Sequence, residues 1–271
     1  MAIIFDGKTY SLKKKELLRG GVTSLREKGI IPHLATILIG DDNASKIYVN
    51  LKKKFLEDMK CQVDIYNLPE TVKFEEVELL IRTLNQDETV HGIMIQFPLP
   101  KKIENCKLDI VNLIAKNKDI DGLQDKSDYL HPTSKAVMEV LALAIYETKI
   151  DVMTVCVVGS SGMVGKPLVK EFKRLGYIVL EADENTDRET LQGLSLQSDC
   201  IVSATGVMNI ITPEMIREDS IVIDVGSPYG DVMKEVSNKV SFITPVPGGV
   251  GPVTITCLAE NLILSAQSII K

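Results

Sequence analysis

The sequence lacks most of the features that would set this chain apart from ordinary globular proteins. Its 271 residues include no tryptophan, and the three histidines, His33, His91 and His131, stand far apart. The five cysteines contain no Cys-x-x-Cys pair, so the ligand spacing of a structural zinc site is missing. No run of about 18 consecutive apolar residues occurs, and MAIIFDGKTY lacks the layout of a signal peptide. We therefore expect a cytoplasmic protein without a metal site or a membrane span.

An excess of positive charge is also missing. The net charge of −6 at pH 7 argues against a nucleic acid or an anionic membrane surface as the main partner. Hydrophobic residues make up 45% of the sequence and charged residues 25%, as in a soluble globular protein. The length suits one large domain or two modest ones.

Short β-rich runs alternate with longer amphipathic segments along the chain. Apolar runs such as ATILIG and IVIDVG are typical of parallel strands that are buried on both faces. The alternation predicts stacked βαβ units and therefore an α/β fold. The predicted strands are residues 33–39, 62–66, 91–97, 154–158, 178–181, 200–204, 220–225 and 240–243. The predicted helices are residues 11–28, 44–59, 73–84, 132–147, 163–175, 187–194 and 254–270.

The regular alternation is interrupted at residues 119–132, where Asp, Gly and Lys predominate. We place a domain boundary there, with the helix at 132–147 between two βαβ lobes. The last helix could cap either lobe, and the sequence pattern alone leaves both possibilities open.

Residues 243–254, ITPVPGGVGPVT, form a segment that we call the Pro/Gly loop. Proline fixes φ and removes an N–H group, whereas glycine permits positive φ and a close approach to the backbone. The mixture suits neither a helix nor a central strand, so it predicts a loop with a fixed path. Such a loop either connects two elements rigidly or lines a binding site.

A candidate phosphate-binding turn follows the strand at 154–158. Residues 159–167, GSSGMVGKP, combine a glycine turn with a helix start, where free N–H groups can face an anion. Ser161 occupies the second glycine position of the usual GxGxxG pattern, so a plain tight turn is the alternative. Asp183 and Glu184 follow the next strand, near the ~20-residue offset at which an acidic residue binds a ribose hydroxyl. Carboxylates there would repel a 2′-phosphate, which favours NAD over NADP.

Polar residues in the first half of the chain suggest a second site. Tyr48 and Lys52 are one helical turn apart, which places them on one face, either as a surface pair or as site residues. Gln96 interrupts the apolar strand GIMIQFPLP, and a buried amide needs hydrogen-bond partners. Asp121 precedes Gly122 in KNKDIDGL, where it could be a turn residue or a ligand anchor.

Together these segments resemble the methylenetetrahydrofolate dehydrogenase/cyclohydrolase family over nearly the whole chain. The matching motifs, in order, are SKIY through Lys52, GIMIQFPLP, KDIDG, VVGSSGMVGKP, SATG, VIDVG, GDV and TPVPGGVGP. The resemblance implies two lobes flanking a cleft, the second with a Rossmann-type parallel sheet, and a C-terminal helix that returns to the first lobe. It implies a folate-binding catalytic domain of residues 1–134 plus 255–271 and a dinucleotide-binding domain of residues 135–254. It also implies a homodimer.

The resemblance further implies roles for individual residues. Lys52 would be the catalytic lysine, Tyr48 would pack on the folate, Gln96 would orient Lys52, and Asp121 would bond the pterin edge. The remaining implied folate contacts are Ile95, Phe97, Leu99, Pro247, Gly248, Gly249, Val250 and Gly251. The implied cofactor contacts are Gly159, Ser160, Ser161, Val164, Asp183, Glu184, Thr205, Gly206 and Ser227.

The implied activity is oxidation of 5,10-methylenetetrahydrofolate with NAD(P), NAD being favoured, followed by hydrolysis of the methenyl product to 10-formyltetrahydrofolate. A cyclohydrolase alone and a non-catalytic folate-binding protein are the alternatives. Two departures from the family pattern strengthen the NAD preference: Ser160 replaces an arginine, and Asp183-Glu184 replaces a His-Ser pair. Residues 131–136, HPTSKA, depart from the usual Pro-Cys-Thr-Pro-x-Gly segment and leave the contacts there open.

Overall fold

A computed structural model describes residues 2–269, and Ile270, the predicted end of the last helix, lies outside the described residues. The strands in chain order are β1 (Ile3–Ile4), β2 (His33–Ile39), β3 (Gln62–Leu68), β4 (Gly92–Ile95), β5 (Thr154–Val158), β6 (Ile178–Ala182), β7 (Cys200–Ser203), β8 (Ile221–Asp224) and β9 (Phe242–Ile243). The α-helices are α1 (Gly7–Glu27), α2 (Asn43–Asp58), α3 (Phe74–Gln86), α4 (Lys101–Glu104), α5 (Lys107–Asn112), α6 (Pro132–Thr148), α7 (Gly165–Arg174), α8 (Arg188–Leu196) and α9 (Val250–Ser268). The predicted α/β class is confirmed. Among the described residues, no helix has both the length and the apolar composition needed to cross a membrane.

The chain divides into two compact units. The three-stranded unit comprises Lys13–Pro132 and Ile255–Lys271, and the six-stranded unit comprises Met1–Leu12 and Thr133–Thr254. Their sheets are parallel, with strand orders β3-β2-β4 and β1-β9-β8-β7-β5-β6 respectively. The two units therefore each have their own sheet and core.

Most of α9, from residue 255 onwards, belongs to the three-stranded unit, which resolves the question that the sequence pattern left open. Leu258 and Leu262 of this helix are buried in one core with Leu34 of β2 and Met94 of β4. The side chain of Asn261 donates hydrogen bonds to the carbonyl oxygens of Ile120 at 2.9 Å and Leu130 at 3.0 Å. Ser265 donates to the carbonyl oxygens of His91 and Asn117 at 2.5 and 2.8 Å.

The N-terminal segment belongs to the six-stranded unit and not, as the predicted division had it, with the residues up to 134. β1 pairs with β9, and the amide of Phe5 donates to the carbonyl oxygen of Ile243 at 2.9 Å. The Phe5 ring also packs 5.9 Å from the Phe242 ring. A two-residue strand has no recognisable sequence pattern, and its partner lies at the far end of the chain. This pairing therefore could not be predicted from a local pattern.

Helix α9 begins at Val250, inside the segment predicted to be a loop. Gly251 and Pro252 thus occupy its first turn, where the N–H groups have no partner within the helix and proline is tolerated. Similarly, α7 begins at Gly165, two residues later than predicted. Both differences lie at helix starts, where the turn geometry decides the boundary.

Asn261→Ala should lower the free energy of unfolding by about 2 kcal/mol, because two carbonyl oxygens would lose their buried donor. Gln267→Ala, on the exposed surface of the same helix, should change it by less than about 0.5 kcal/mol. Urea unfolding followed by circular dichroism measures both. Equal effects of the two substitutions would contradict the role given to Asn261.

Candidate active site

Lys52 and Gln96 meet in the three-stranded unit. The Lys52 Nζ donates a hydrogen bond to the Gln96 side-chain oxygen at 3.2 Å and lies 3.3 Å from the Met94 sulfur. The amide nitrogen of the Gln96 side chain donates to the Phe97 carbonyl oxygen at 2.7 Å. Because the side-chain nitrogen of Gln96 is hydrogen-bonded to the Phe97 carbonyl oxygen, the side-chain oxygen is the atom that faces Lys52. The structure therefore brings together two residues that the sequence singled out separately.

The position of Lys52 is set by α2. The carboxylate of Asp42 caps this helix by accepting the amide of Ser45 at 2.7 Å, and Val49 is buried on its inner face. Tyr48 and Lys52, one helical turn apart, lie beside this face, with Tyr48 exposed and Lys52 half-buried. An exposed aromatic ring one turn from the lysine suits the predicted packing against a flat ligand.

Gln96 is equally fixed by the sheet. Its main-chain amide donates to the carbonyl oxygen of Ile37 at 2.9 Å, so it continues the β2–β4 ladder by one residue. Ile95 and Leu99 are buried in the core, and the Phe97 ring packs 4.6 Å from the Lys107 Nζ. The predicted folate contacts at Ile95 and Leu99 would accordingly involve their backbone more than their side chains.

A tight turn places Asp121 beside His131. Asp119 is fully buried and accepts the amides of Leu123 and Gln124 at 3.2 and 3.0 Å. Burial raises the pKa of Asp119, and these amides oppose the shift. Gly122 has φ +60°, and a Cβ there would lie 2.5 Å from the His131 backbone nitrogen. The turn thus needs glycine directly after Asp121.

His131 is a residue that the sequence analysis left without a role. Burial lowers the pKa of its ring, while the charge of Asp121 opposes the shift and that of Lys52 adds to it. Its Nδ1 is buried and, among the described residues, has no hydrogen-bond partner. The ring is therefore neutral near pH 7 and lies within electrostatic reach of both Lys52 and Asp121. The one available signal was an isolated histidine at the domain boundary.

The predicted nucleotide turn, residues 159–164, lies in the six-stranded unit at the carboxyl ends of β5 and β7. The chain runs from β5 outward to β6 and then back to β7 on the other side, which creates the crevice where such sheets bind ligands. Gly159 has φ +86°, and a Cβ there would lie 2.6 Å from the Ala204 carbonyl oxygen. A Cβ on Gly165 would lie 2.1 Å from the Gly159 carbonyl oxygen. These two close approaches are those of a dinucleotide-binding turn, so the residues present fit that group.

Two amides of this turn are already engaged. The N–H groups of Gly159 and Ser160 both donate to the Ala182 carbonyl oxygen, at 2.8 and 3.0 Å. A pyrophosphate would therefore be bound by other groups of the turn, such as the exposed Ser161 and the N-terminus of α7, next to Val164. The predicted contacts in this turn stay predictions.

Asp183 and Glu184 follow β6. One carboxylate oxygen of Asp183 accepts the amide of Asn185 at 2.9 Å, and Glu184 is exposed. Arg188, the nearest basic residue in the sequence, pairs with Glu214 at 3.1 Å. The acidic character that the sequence predicted for this turn is therefore not neutralised by Arg188.

The remaining predicted residues also lie in the six-stranded unit. Thr205 is half-buried, whereas Gly206 and Ser227 are exposed in the loops that follow β7 and β8. In the Pro/Gly loop, Gly248 has φ +103°, and the Gly249 amide donates to the Pro245 carbonyl oxygen at 2.8 Å. A Cβ on Gly7 would lie 1.8 Å from the Gly249 carbonyl oxygen, so the loop packs directly on the α1 backbone.

The predicted site residues thus separate into two groups. Tyr48, Lys52, Gln96 and Asp121 belong to the three-stranded unit, and the predicted cofactor residues belong to the six-stranded unit. The Pro/Gly loop, with Pro247, belongs to the six-stranded unit, and its place beside the folate stays a prediction. Within residues 2–269, no cluster of three or more His, Cys, Asp or Glu side chains could hold a metal ion.

Two family models match this chain, and together they cover both groups of predicted site residues. Residues 5–121 match the family model described as tetrahydrofolate dehydrogenase/cyclohydrolase, catalytic domain. Residues 131–269 match the model of the NAD(P)-binding domain of the same family. The chain is 38% identical to the bifunctional protein FolD of Campylobacter jejuni (strain RM1221), over 98% of each protein.

Solved structures show the same likeness. A crystal structure of the bifunctional FolD methylenetetrahydrofolate dehydrogenase/cyclohydrolase from Campylobacter jejuni has a TM-score of 0.92 at 37% identity, covering 99% of this chain and 100% of that one. The Trypanosoma brucei N5,N10-methylenetetrahydrofolate dehydrogenase-cyclohydrolase, complexed with NADP and an inhibitor, has a TM-score of 0.91 at 29% identity, covering 100% and 99%. The two family models and the full-length relatives show that this chain belongs to the tetrahydrofolate dehydrogenase/cyclohydrolase family.

Proposed function

We propose that this chain oxidises 5,10-methylenetetrahydrofolate with a nicotinamide dinucleotide and hydrolyses the methenyl product to 10-formyltetrahydrofolate. Membership of the family supports both activities. The observation that carries the assignment of residues is the 3.2 Å hydrogen bond between the Lys52 Nζ and the oriented oxygen of Gln96. A protein that only bound folate would have no need to hold an amine in this way.

The oxidation requires little acid–base chemistry from the protein. A bound nicotinamide dinucleotide supplies the hydride acceptor. Loss of the hydride leaves a delocalised methenyl cation, so no strong base is needed, and the protein must chiefly hold the two reactants in position. We assign folate binding to the three-stranded unit and dinucleotide binding to the six-stranded unit, as the two family models support.

The hydrolysis does require a proton acceptor. Water attacks the methenyl carbon, and one water proton passes to the Lys52 amine, which can accept it only in its uncharged form. The hydroxyl group of the resulting carbinolamine then loses its proton and N5 gains one as the bond from this carbon to N5 breaks, which gives the 10-formyl product. The proton taken by Lys52 passes to solvent, so that one proton is released overall. The Gln96 oxygen accepts a hydrogen bond from one N–H of the amine. This leaves the nitrogen lone pair of the uncharged form free to take the water proton. A charged lysine would instead repel the methenyl cation.

Lys52→Met should slow methenyltetrahydrofolate hydrolysis at least about 100-fold, because the variant has no amine to take the water proton. The decay of methenyl absorbance measures the rate. Lys54→Met, on an exposed position of the same helix, is the matched control and should hydrolyse at the normal rate. Hydrolysis by Lys52→Met within about threefold of the unmodified chain would reject Lys52 as the catalyst.

The other residues keep the roles that the resemblance implies. We propose that Tyr48 packs on the folate ring and that Asp121 bonds the pterin edge, where the neutral His131 ring lies close by. The remaining proposed folate contacts are Ile95, Phe97, Leu99, Pro247, Gly248, Gly249, Val250 and Gly251. The proposed dinucleotide contacts are Gly159, Ser160, Ser161, Val164, Asp183, Glu184, Thr205, Gly206 and Ser227.

NAD is the dinucleotide that we propose for this chain. Asp183 and Glu184 place two carboxylates after β6, where a 2′-phosphate would lie. Arg188 is paired with Glu214, and Ser160 cannot supply the positive charge of an arginine. Repulsion between like charges at this position disfavours NADP.

Asp183→Asn should raise the KM for NAD about tenfold and shift the ratio of kcat/KM for NADP over NAD towards NADP. The asparagine oxygen can still accept the Asn185 amide, so the turn is kept while its charge is lost. Asp187→Asn, which changes the exposed N-cap of α8 nearby, is the control. Initial rates with each dinucleotide give the comparison, and an unchanged NADP/NAD ratio in Asp183→Asn would contradict the ribose role.

We further propose that two copies associate through β6. This strand lies at one edge of the six-stranded sheet, so the hydrogen-bonding groups of its outer edge can pair with another strand. Leu175, just before this strand, and Ile178, its first residue, are exposed apolar residues.

The cysteines bear on the cellular location of the chain. All five are free thiols, which supports a reducing compartment, and we propose the cytoplasm.

Light scattering should give a mass of twice 29.9 kDa for the unmodified chain. Ile178→Lys should shift the mass towards the single chain, because charges would face each other across the paired edges. Leu79→Lys, at an exposed apolar position of α3, should leave the mass unchanged. A single-chain mass for the unmodified protein would contradict the dimer, and a dimeric Ile178→Lys would contradict this edge.

A further inference from the structure

We propose that Asp231 is a positioning residue that fixes the loop after β7 for dinucleotide binding. The inference rests on the proposed placing of the dinucleotide next to Thr205 and Gly206. Asp231 is fully buried and does not itself face a ligand. Its effect would pass through the loop that it holds.

A single oxygen of Asp231 gathers three hydrogen bonds from this loop and its strand. Oδ2 accepts the Ser203 hydroxyl at 2.8 Å, the Thr205 amide at 2.7 Å and the Thr205 hydroxyl at 2.8 Å. The Thr205 hydroxyl oxygen in turn accepts the Val207 amide at 3.0 Å. The carboxylate therefore sets the path of the chain through Gly206, whose φ is +69°.

A second buried carboxylate holds Asp231 in place. Asp224 accepts the amides of Gly226, Asp231 and Val232 at 2.8, 3.1 and 3.0 Å. Its own main-chain N–H and carbonyl both bond the hydroxyl of Thr244, which follows β9. The two aspartates thus tie together the ends of β7, β8 and β9.

The loop after β7, which Asp231 holds, packs against the nucleotide turn at residues 159–164. A Cβ on Gly159 would lie 2.6 Å from the Ala204 carbonyl oxygen, so Ala204 and the turn are in direct contact. A shift of the loop would therefore move the backbone next to the proposed phosphate site. Gly206, in the same loop, is exposed and open to a ligand.

The remaining oxygen of Asp231 indicates that stability alone does not account for this arrangement. In the part of the chain that the structure describes, Oδ1 is buried without a hydrogen-bond partner. A buried, unpartnered carboxylate oxygen is costly. It also lies where a Cβ on Gly226 would be only 2.5 Å away, so this glycine is required for the approach. Oδ2, by contrast, accepts three hydrogen bonds, and these hold the loop after β7 in place.

Asp231→Asn tests this role, with Asp199→Asn as the matched control. Asp199 also accepts two backbone amides, those of Met153 and Thr154 at 2.9 and 2.8 Å, but it lies at the amino ends of β5 and β7. Calorimetric titration with NADH gives the Kd, thermal unfolding gives the Tm, and methenyltetrahydrofolate hydrolysis without dinucleotide gives the folate activity. Hydrogen exchange of the peptide that contains Thr205 reports on the loop itself.

Asp231→Asn should raise the Kd for NADH about tenfold and speed exchange at Thr205, because an amide oxygen accepts the three hydrogen bonds more weakly than a carboxylate oxygen does. Hydrolysis should stay within about twofold of normal, since it uses no dinucleotide. Asp199→Asn should lower the Tm but keep the Kd within about twofold. A Kd unchanged in Asp231→Asn, or raised equally in both variants, would overturn the proposal. If Asp231→Asn does not fold, Ser203→Ala removes one of the three bonds, and an unchanged Kd there would count against it.

Ser161→Asp separates this inference from the proposed dinucleotide site. A carboxylate at this exposed position of the turn should weaken NADH binding by repelling the phosphates. If Ser161→Asp binds NADH normally, the proposed site is wrong. If it weakens binding while Asp231→Asn does not, the site stands and the role of Asp231 is wrong.

Discussion

The hydrogen bond between the Lys52 amine and the Gln96 oxygen is the interaction on which the proposed chemistry depends. It joins α2 to the end of β4, and each partner is fixed independently, one by a capped helix and the other by the sheet ladder. The second hydrogen bond of Gln96, to the Phe97 carbonyl, decides which atom the lysine meets. A flexible lysine is thereby converted into an oriented amine, which is the requirement for taking a proton from an attacking water.

The six-stranded unit meets a related constraint in a different way. Loops at the carboxyl ends of parallel strands bind ligands, yet their backbone groups must be hydrogen-bonded wherever they are buried. Asp224 and Asp231 satisfy those groups from inside the unit, and the three-stranded unit uses Asp119 in the same manner. The buried aspartates that shape these loops are therefore distinct from the residues proposed to contact ligands. This separation allows the loop surface to be chosen for binding and the buried carboxylate for geometry.

The sequence was sufficient for the α/β class and for the central strands, because uninterrupted apolar runs such as 33–39 and 154–158 have few other solutions. It also identified Gln96, since an amide inside an apolar strand requires a partner. It could not reveal that β1 pairs with β9, because pairing between distant segments is not visible in a local pattern. His131 and Asp231 were missed for a related reason: next to proline and glycine, each resembles an ordinary loop residue until the fold buries it. The start of α9 was misplaced because the glycines and prolines of a helix N-terminus also occur in loops.

The most direct test of the central claim is a double-mutant cycle on methenyltetrahydrofolate hydrolysis with Lys52→Met, Gln96→Leu and the double variant. If Gln96 acts by orienting the Lys52 amine, removing it has no further consequence once the amine is gone. We predict that the double variant hydrolyses at the rate of Lys52→Met alone, after subtraction of the uncatalysed rate. Rate losses that multiply in the double variant would show that the two residues act independently and would contradict the role proposed for Gln96.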